Sequence, residues 1–183
     1  IKTMHRVSVV GTSCSGKTTM ARRIADHYRI PYIELDKVFW QPNWTPLPLD
    51  QYRLAVEALA AGDAWVIDGN YSKVRDIVWG RATDVVWMNL PLATVLWRVI
   101  KRTVRRIVTH EELFAGNRET VRNAILSQDS LIWWVIRTHC RRNRALREML
   151  ASEKYSRLQL HEIRRANDAL SLLESDGMDH SRT

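Results

Sequence analysis

The chain has 183 residues, 45% of them hydrophobic, which suits one domain with a full core. Its two cysteines, Cys14 and Cys140, form no CxxC pair, so neither a disulfide framework nor a zinc site is implied and a cytoplasmic setting is expected. The net charge of +8 calls for anionic partners, and no apolar run approaches the roughly 18 residues of a membrane span, so no membrane partner is expected.

In chain order, Met4 reads as the native start, and no signal-peptide core precedes the first strand signal, Arg6–Val10. Gly11-Thr12-Ser13-Cys14-Ser15-Gly16-Lys17-Thr18 follows it, fits G-x-x-x-x-G-K-[ST] and opens a helix at about 16–29. Strand, glycine-containing loop and helix together are the context of a phosphate-binding loop. Gly11 allows the turn out of the strand and Gly16 lets the backbone close on a phosphate. The N–H groups of Thr12, Ser13, Cys14, Ser15 and Thr19 are candidate ATP contacts, because a helix N-terminus presents donors to an anion. Lys17 is expected to reach the β- and γ-phosphates, and the Thr18 hydroxyl to ligate Mg²⁺.

A second strand is expected at Pro31–Leu35, closing in Asp36. Ligands of open α/β sheets bind at the carboxyl ends of strands, so Asp36 is a candidate to orient an acceptor hydroxyl and take its proton. It reads equally as a turn residue, and Glu34 is a weaker candidate to help hold the metal. Pro42 and Pro46 prevent a regular helix after it, which leaves Trp40 and Trp44 in an irregular segment. Both are candidates to stack a flat acceptor, with plugging the core edge slightly preferred. A helix at 50–61 is expected with Asp50 as N-cap and Leu54 and Leu59 on its apolar face.

A third strand, Ala64–Ile67, closes in Asp68 and Gly69, the form of a carboxylate that holds Mg²⁺ directly or through water. A fourth at Val85–Asn89 leads to a helix at 91–108 with Pro91 in its first turn. On that helix Arg98, Lys101, Arg102, Arg105 and Arg106 form a cationic face, with Val95, Val99 and Ile107 elsewhere on the wheel. The helix runs toward a glycine-bearing connection, Thr109 to Arg118, and the two together suit a lid at about 98–122. Arg98 and Arg102 are the leading candidates to stabilise the transferring phosphoryl group, with Arg105, Arg106 and Arg118 behind them.

A long helix at 119–150 carries Ile125, Leu126, Ile132, Trp133, Val135, Ile136, Leu146 and Met149 as a core stripe, and Cys140 as a small buried residue. Its Arg137, Arg141, Arg142, Arg144 and Arg147 read as surface, or as a nucleic-acid contact if there is one. A fifth strand at Tyr155–Leu160, a helix at 161–174 and a polar tail complete the order. Alternating strands and helices argue for a parallel sheet covered on both faces.

These residues carry a resemblance. The phosphate loop, Ile30-Pro31 leading to Leu35-Asp36, Phe39-Trp40 with Trp44, and Trp65-Val66-Ile67-Asp68-Gly69-Asn70-Tyr71-Ser72 are followed by Ala82-Thr83-Asp84, Leu90-Pro91, Arg98 and Arg102. Over nearly its whole length the chain resembles the DNA topology modulation protein family, itself similar to adenylate kinase among the P-loop NTPases. The resemblance implies a single three-layer α/β/α sandwich with a five-stranded parallel sheet in the order 2-3-1-4-5. It also implies an ATP-dependent kinase-like site, with Asp68 linked to magnesium and Arg98 and Arg102 at the start of the lid.

The chain departs from nucleoside-monophosphate kinases where Asp-Gly is followed by Phe-Pro-Arg. Asn70 and Tyr71 stand there instead and become candidate acceptor contacts. Cys14 stands where a small Gly or Ala is frequent. The expected function is transfer of the γ-phosphoryl of ATP to a small acceptor, nucleoside-like or another hydroxyl compound. The alternative is a nucleotide-dependent regulator associated with DNA, with slow or no kinase activity. Direct nucleic-acid binding is not favoured, because phosphate handling already accounts for part of the charge.

Overall fold

The structure, a computed structural model, describes residues 4–109, 131–165, 168–169 and 171–173, and the side chains of 106–109 and 131–135 are not described. Five strands form one parallel sheet: β1 (Arg6–Gly11), β2 (Tyr32–Glu34), β5 (Trp65–Asp68), β6 (Asp84–Met88) and β7 (Gln159–Ile163). Between β2 and β5 lie α2 (Leu35–Phe39), the antiparallel pair β3 (Trp40–Gln41) and β4 (Thr45–Pro46), and α3 (Leu49–Ala60). The other helices are α1 (Lys17–Tyr28), α4 (Arg75–Arg81), α5 (Leu92–Thr109) and α6 (Leu131–Leu150).

Spatially the sheet runs β2-β5-β1-β6-β7. The expected label 2-3-1-4-5 differs from this numbering because it leaves out the small β3–β4 hairpin inserted between β2 and β5. The register aligns the functional ends: Asp68 sits opposite both Val9 and Glu34, and Gly11 opposite Met88.

Alternation along each strand sorts side chains into two apolar layers. Val10, Trp65, Ile67, Val85 and Trp87 face one layer, packed with α3, α4 and α6. Val7, Val9, Val66, Val86 and Met88 face the other, packed with Met20, Ala21 and Ile24 of α1. Both faces of the sheet are thus covered, so the central strands β1, β5 and β6 are buried along nearly their whole length. Burying large side chains such as Trp65, Trp79 and Trp87 contributes about 1.5–3 kcal/mol each or more. Two of the indoles also find acceptors, Trp65 Nε1 on the Ala60 carbonyl and Trp79 Nε1 on Ser8 Oγ, each at 3.2 Å.

Several expectations are corrected. The second strand stops at Glu34, and Asp36 lies in the first turn of α2 rather than at a strand end. α3 buries Tyr52, Val56 and Ala60, while Leu54 and Leu59 are 66% and 39% exposed. Apolar residues occur on both sides of this helix, so its pattern does not choose a face. Asp50 is inside the first turn, and the N-cap is Pro48. The last strand lies further along than expected, so 161–163 pair with β6 instead of opening a helix, while 168–169 and 171–173 are helical. α4 has no counterpart among the expected elements.

In α6, Leu146 is buried and Met149 packs on the core, but Ile136 is exposed and so is Cys140. The segment 119–130, most of the connection ending at Arg118 and the lid beyond residue 109 lie outside the described residues. Among the described residues no helix is long and apolar enough to cross a membrane.

Candidate active site

The phosphate loop leaves β1 through Gly11, whose φ is +154°, and a Cβ there would lie 2.8 Å from both the Met88 carbonyl and Ser15 Oγ. Glycine is required by space as well as by backbone conformation. Gly16 caps α1 in the left-handed region, and Cys14 adopts it too, with φ 60°. Lys17 Nζ folds back and donates to the Thr12 carbonyl at 2.8 Å.

From α5, Arg98 Nη1 donates to the Ser15 carbonyl at 3.1 Å and Arg102 Nη2 to Ser13 Oγ at 3.3 Å. Their aim follows from helix geometry. Val95 and Val99 are fully buried and seat α5 against Leu90 and Cys14, and residues three positions further along share that side. Both leading lid arginines thus meet the loop, whereas Lys101 and Arg105 are exposed and Arg106 and Arg118 are not described.

Asp68 ends β5 beneath the loop and is buried. Thr18 Oγ1 donates to its Oδ2 at 2.6 Å, and the Tyr32 hydroxyl donates to the same oxygen at 3.3 Å. Its Oδ1 is buried with no hydrogen-bond partner. Burial pushes the Asp68 pKa up, against the opposing pull of Lys17 and the Thr18 bond. Burial also pushes the Lys17 pKa down, while Asp68 and Asp36 oppose that shift.

A buried carboxylate oxygen beside a threonine hydroxyl at a phosphate loop fits Mg²⁺, a hard cation that takes oxygen ligands. Such an ion would be completed by water and substrate phosphates. Glu34, the weaker metal candidate, is instead paired with Lys37 at 3.3 Å and Arg22 at 3.9 Å.

Two clefts open at this end of the sheet. One, of about 590 Å³, is lined by Cys14, Gly16, Thr18, Asp68, Arg98 and Arg102 among others. The second, of about 770 Å³, is lined by Trp40, Asn70, Tyr71, Arg75, Arg142 and Met149 among others. Ser13, Lys17 and Asp36 line both.

Asp36 accepts a hydrogen bond from the Tyr71 hydroxyl. Burial and then the Asp36 charge push the Tyr71 pKa up, so the phenol stays a donor at neutral pH. Phe39, Tyr52 and Tyr71 form an aromatic wall with ring centroids 4.9–5.6 Å apart. Trp40 stands edge-on to Phe39 and to Trp44, at 4.8 and 5.4 Å. Neither tryptophan plugs the core: Trp40 is half-buried at the cleft, and Trp44 is 39% exposed behind it and does not line the cleft.

Sequence reasoning missed three cations of the second cleft, Lys73, Arg75 and Arg142. Arg75 begins α4 and donates through Nη2 to Asn70 Oδ1 at 2.9 Å. Arg142, taken for surface, is half-buried on α6. Arg75 could have been noticed as a basic residue close behind Asp68-Gly69, where nucleotide kinases carry their acceptor arginine. Arg142 gives no local signal, because only packing of α6 brings it to the cleft.

No family model matches the chain, and no curated protein does either. Solved structures do share its fold. A gluconokinase from Sinorhizobium meliloti 1021 is 18% identical with a TM-score of 0.54, covering 100% of both chains. Shikimate kinase from Acinetobacter baumannii, in complex with shikimate, is 14% identical with a TM-score of 0.58, covering 98% of this chain and 97% of that one. A sugar kinase from Janibacter sp. HTCC2649 is 19% identical with a TM-score of 0.51, covering 96% and 93%. The chain therefore has the α/β fold of P-loop kinases. Its resemblance to the DNA topology modulation family rests on the quoted residues alone.

Proposed function

We propose that the protein is an ATP-dependent phosphotransferase acting on the hydroxyl of a small acceptor. The observation that carries this reading is the meeting of two clefts at Lys17 and Asp36. A nucleotide switch needs the first cleft only. A transferase needs a second beside it, with a carboxylate at the junction.

In this reading the backbone N–H groups of the loop, from Gly11 to Thr19, hold the ATP phosphates, and Lys17 exchanges its Thr12 carbonyl for the β- and γ-phosphates. Arg98 and Arg102 are positioned to follow the charge that spreads over the γ-phosphoryl oxygens. Magnesium held by Thr18 and Asp68, partly through water, would neutralise phosphate charge. The acceptor lies in the second cleft, with Asn70 and Trp40 on its walls.

Its hydroxyl oxygen forms a bond to the γ-phosphorus while the bond from that phosphorus to the β–γ bridging oxygen breaks, and ADP leaves. The hydroxyl proton passes to Asp36, whose carboxylate Tyr71 holds in place. The setting expected for such a reaction is cytoplasmic.

The test is ADP release from ATP and Mg²⁺ across a panel of nucleosides, nucleotides, sugars, sugar acids, polyols and oligonucleotides. At least one small hydroxyl compound should raise the rate well above that of ATP alone. Acceleration by oligonucleotides only, or by nothing, would contradict the reading.

A further inference from the structure

The second cleft carries a charge that transfer to a hydroxyl does not itself need. Among the described residues its lining holds Lys17, Lys73, Arg75 and Arg142, against Asp36 as the one carboxylate. Asp36 is bonded to Tyr71 at the junction. Asp76, next to Arg75 in sequence, is taken by Arg53 through bonds of 2.7 and 3.1 Å.

Arg75 is left with neutral partners: the Asn70 amide oxygen at 2.9 Å, Met149 Sδ at 3.2 Å and the face of Trp79 at 5.3 Å. These contacts fix the orientation of the guanidinium and leave its charge uncompensated by any carboxylate among the described residues. Arg142 reaches the same cleft from α6, and its charge adds to that of Arg75 there. Burial lowers the pKa of both arginines. A half-buried guanidinium with only neutral partners, as at Arg75, raises the energy of the protein, and an anion binding beside it relieves that cost.

Resting on the phosphotransferase reading above, we propose that the acceptor carries an oxyanion, a carboxylate or phosphate, held in the second cleft by Arg75 with Arg142. A planar guanidinium matches either group with two parallel hydrogen bonds. The substrate class is then a small hydroxylated acid or phosphomonoester. Asp36 addresses its hydroxyl and the arginines set its register, while Phe39, Trp40, Leu146 and Met149 cover its carbon frame. The position left without an arginine by Asn70-Tyr71 is filled from α4 instead, with Asn70 as the bracket that holds Arg75.

The test reads binding, so it does not depend on turnover. Protein saturated with Mg²⁺ and a non-hydrolysable ATP analogue, which fills the phosphate loop, is titrated calorimetrically with inorganic phosphate, gluconate and uncharged glucitol. At least one anion should bind, with glucitol weaker by about tenfold or more, as expected for a charge-assisted contact. Phosphate alone would mark a phosphorylated acceptor, and gluconate alone a carboxylated one. Arg75→Gln and Arg142→Gln, each checked for fold by circular dichroism, should each weaken the anion by about tenfold or more. Arg75→Lys should recover only part of the loss. No anion binding to the loaded protein, equal binding of glucitol, or unaltered affinity in both Gln variants would overturn the proposal. Failure of the analogue itself to bind would instead strike the phosphate-loop reading.

Discussion

At Lys17 two forces oppose each other: burial disfavours its charge and prevails, while the nearby carboxylates favour it. A bound triphosphate would add to the second, so Lys17→Ala should cost about 1.5–3 kcal/mol of ATP affinity, more than tenfold, with the fold intact. Calorimetry with ATP and Mg²⁺ decides this, and unchanged affinity would remove the phosphate loop from the account. Asp68 makes the opposite prediction for stability. Its raised pKa means that the folded chain binds the proton more readily than the unfolded chain does. Burial of this carboxylate therefore withdraws stability as pH rises from the ordinary carboxylate range through the raised value, and the loss is complete above it. Asp68→Asn keeps an acceptor for Thr18 and removes the charge. Without ligands it should unfold at or above the wild-type temperature at pH 7, the gap closing toward about pH 4, the ordinary carboxylate pKa. Melting curves across pH check this, and a clearly lower melting temperature at pH 7 would show that the Thr18–carboxylate bond dominates. Residues inside one short motif, Gly11 to Thr18, were legible because strand, turn and helix are adjacent in sequence. Arg75 and Arg142 were not, because the cleft they share is assembled from α4 and α6, far apart in the chain.

Among the elements, the joint between β5 and α2 fixes the two carboxylates relative to each other. Gly69 follows Asp68 with φ +148°, and a Cβ there would fall 2.8 Å from Leu35 Cβ, one residue before Asp36. Leu35 is buried and cannot swing away, so Gly69→Ala should destabilise the protein by about 1–3 kcal/mol. Chemical denaturation measures this, and a neutral result would mean that α2 shifts freely. The parallel strands were legible from their β-branched runs and the helical segments between them. α4 was not, being a seven-residue helix that contains Gly80 and has no side-chain cap. Its stability comes from burying Val78 and Trp79, a tertiary effect that local propensity does not register. The slipped position of β7 has a similar cause: the strand is chosen by pairing with β6, and its residues Gln159, His161 and Glu162 look polar in isolation.

For the whole molecule, the charge of +8 divides between cleft and surface. Arg98 and Arg102 meet the loop, Arg75 and Arg142 line the second cleft, and Arg147 pairs with Glu162 at 2.9 Å. Arg137, Arg141 and Arg144 remain on the exposed face of α6. Duplex DNA held by that face would show a log–log salt slope of about −0.9 per phosphate neutralised. We expect negligible duplex affinity near physiological salt. Submicromolar, salt-sensitive binding lost on charge reversal at Arg141 and Arg144 would favour the DNA-associated regulator. The central claim is that phosphoryl transfer occurs at the junction of the two clefts. Its most direct measurement follows the γ-phosphorus of ATP by ³¹P NMR with the best acceptor of the panel, in wild type and in Asp36→Asn. The account predicts a new phosphoester signal growing in step with ADP, slowed by about 10²–10⁴ in Asp36→Asn while ATP affinity holds. Inorganic phosphate as the sole product, formed at the same rate in both proteins, would contradict it.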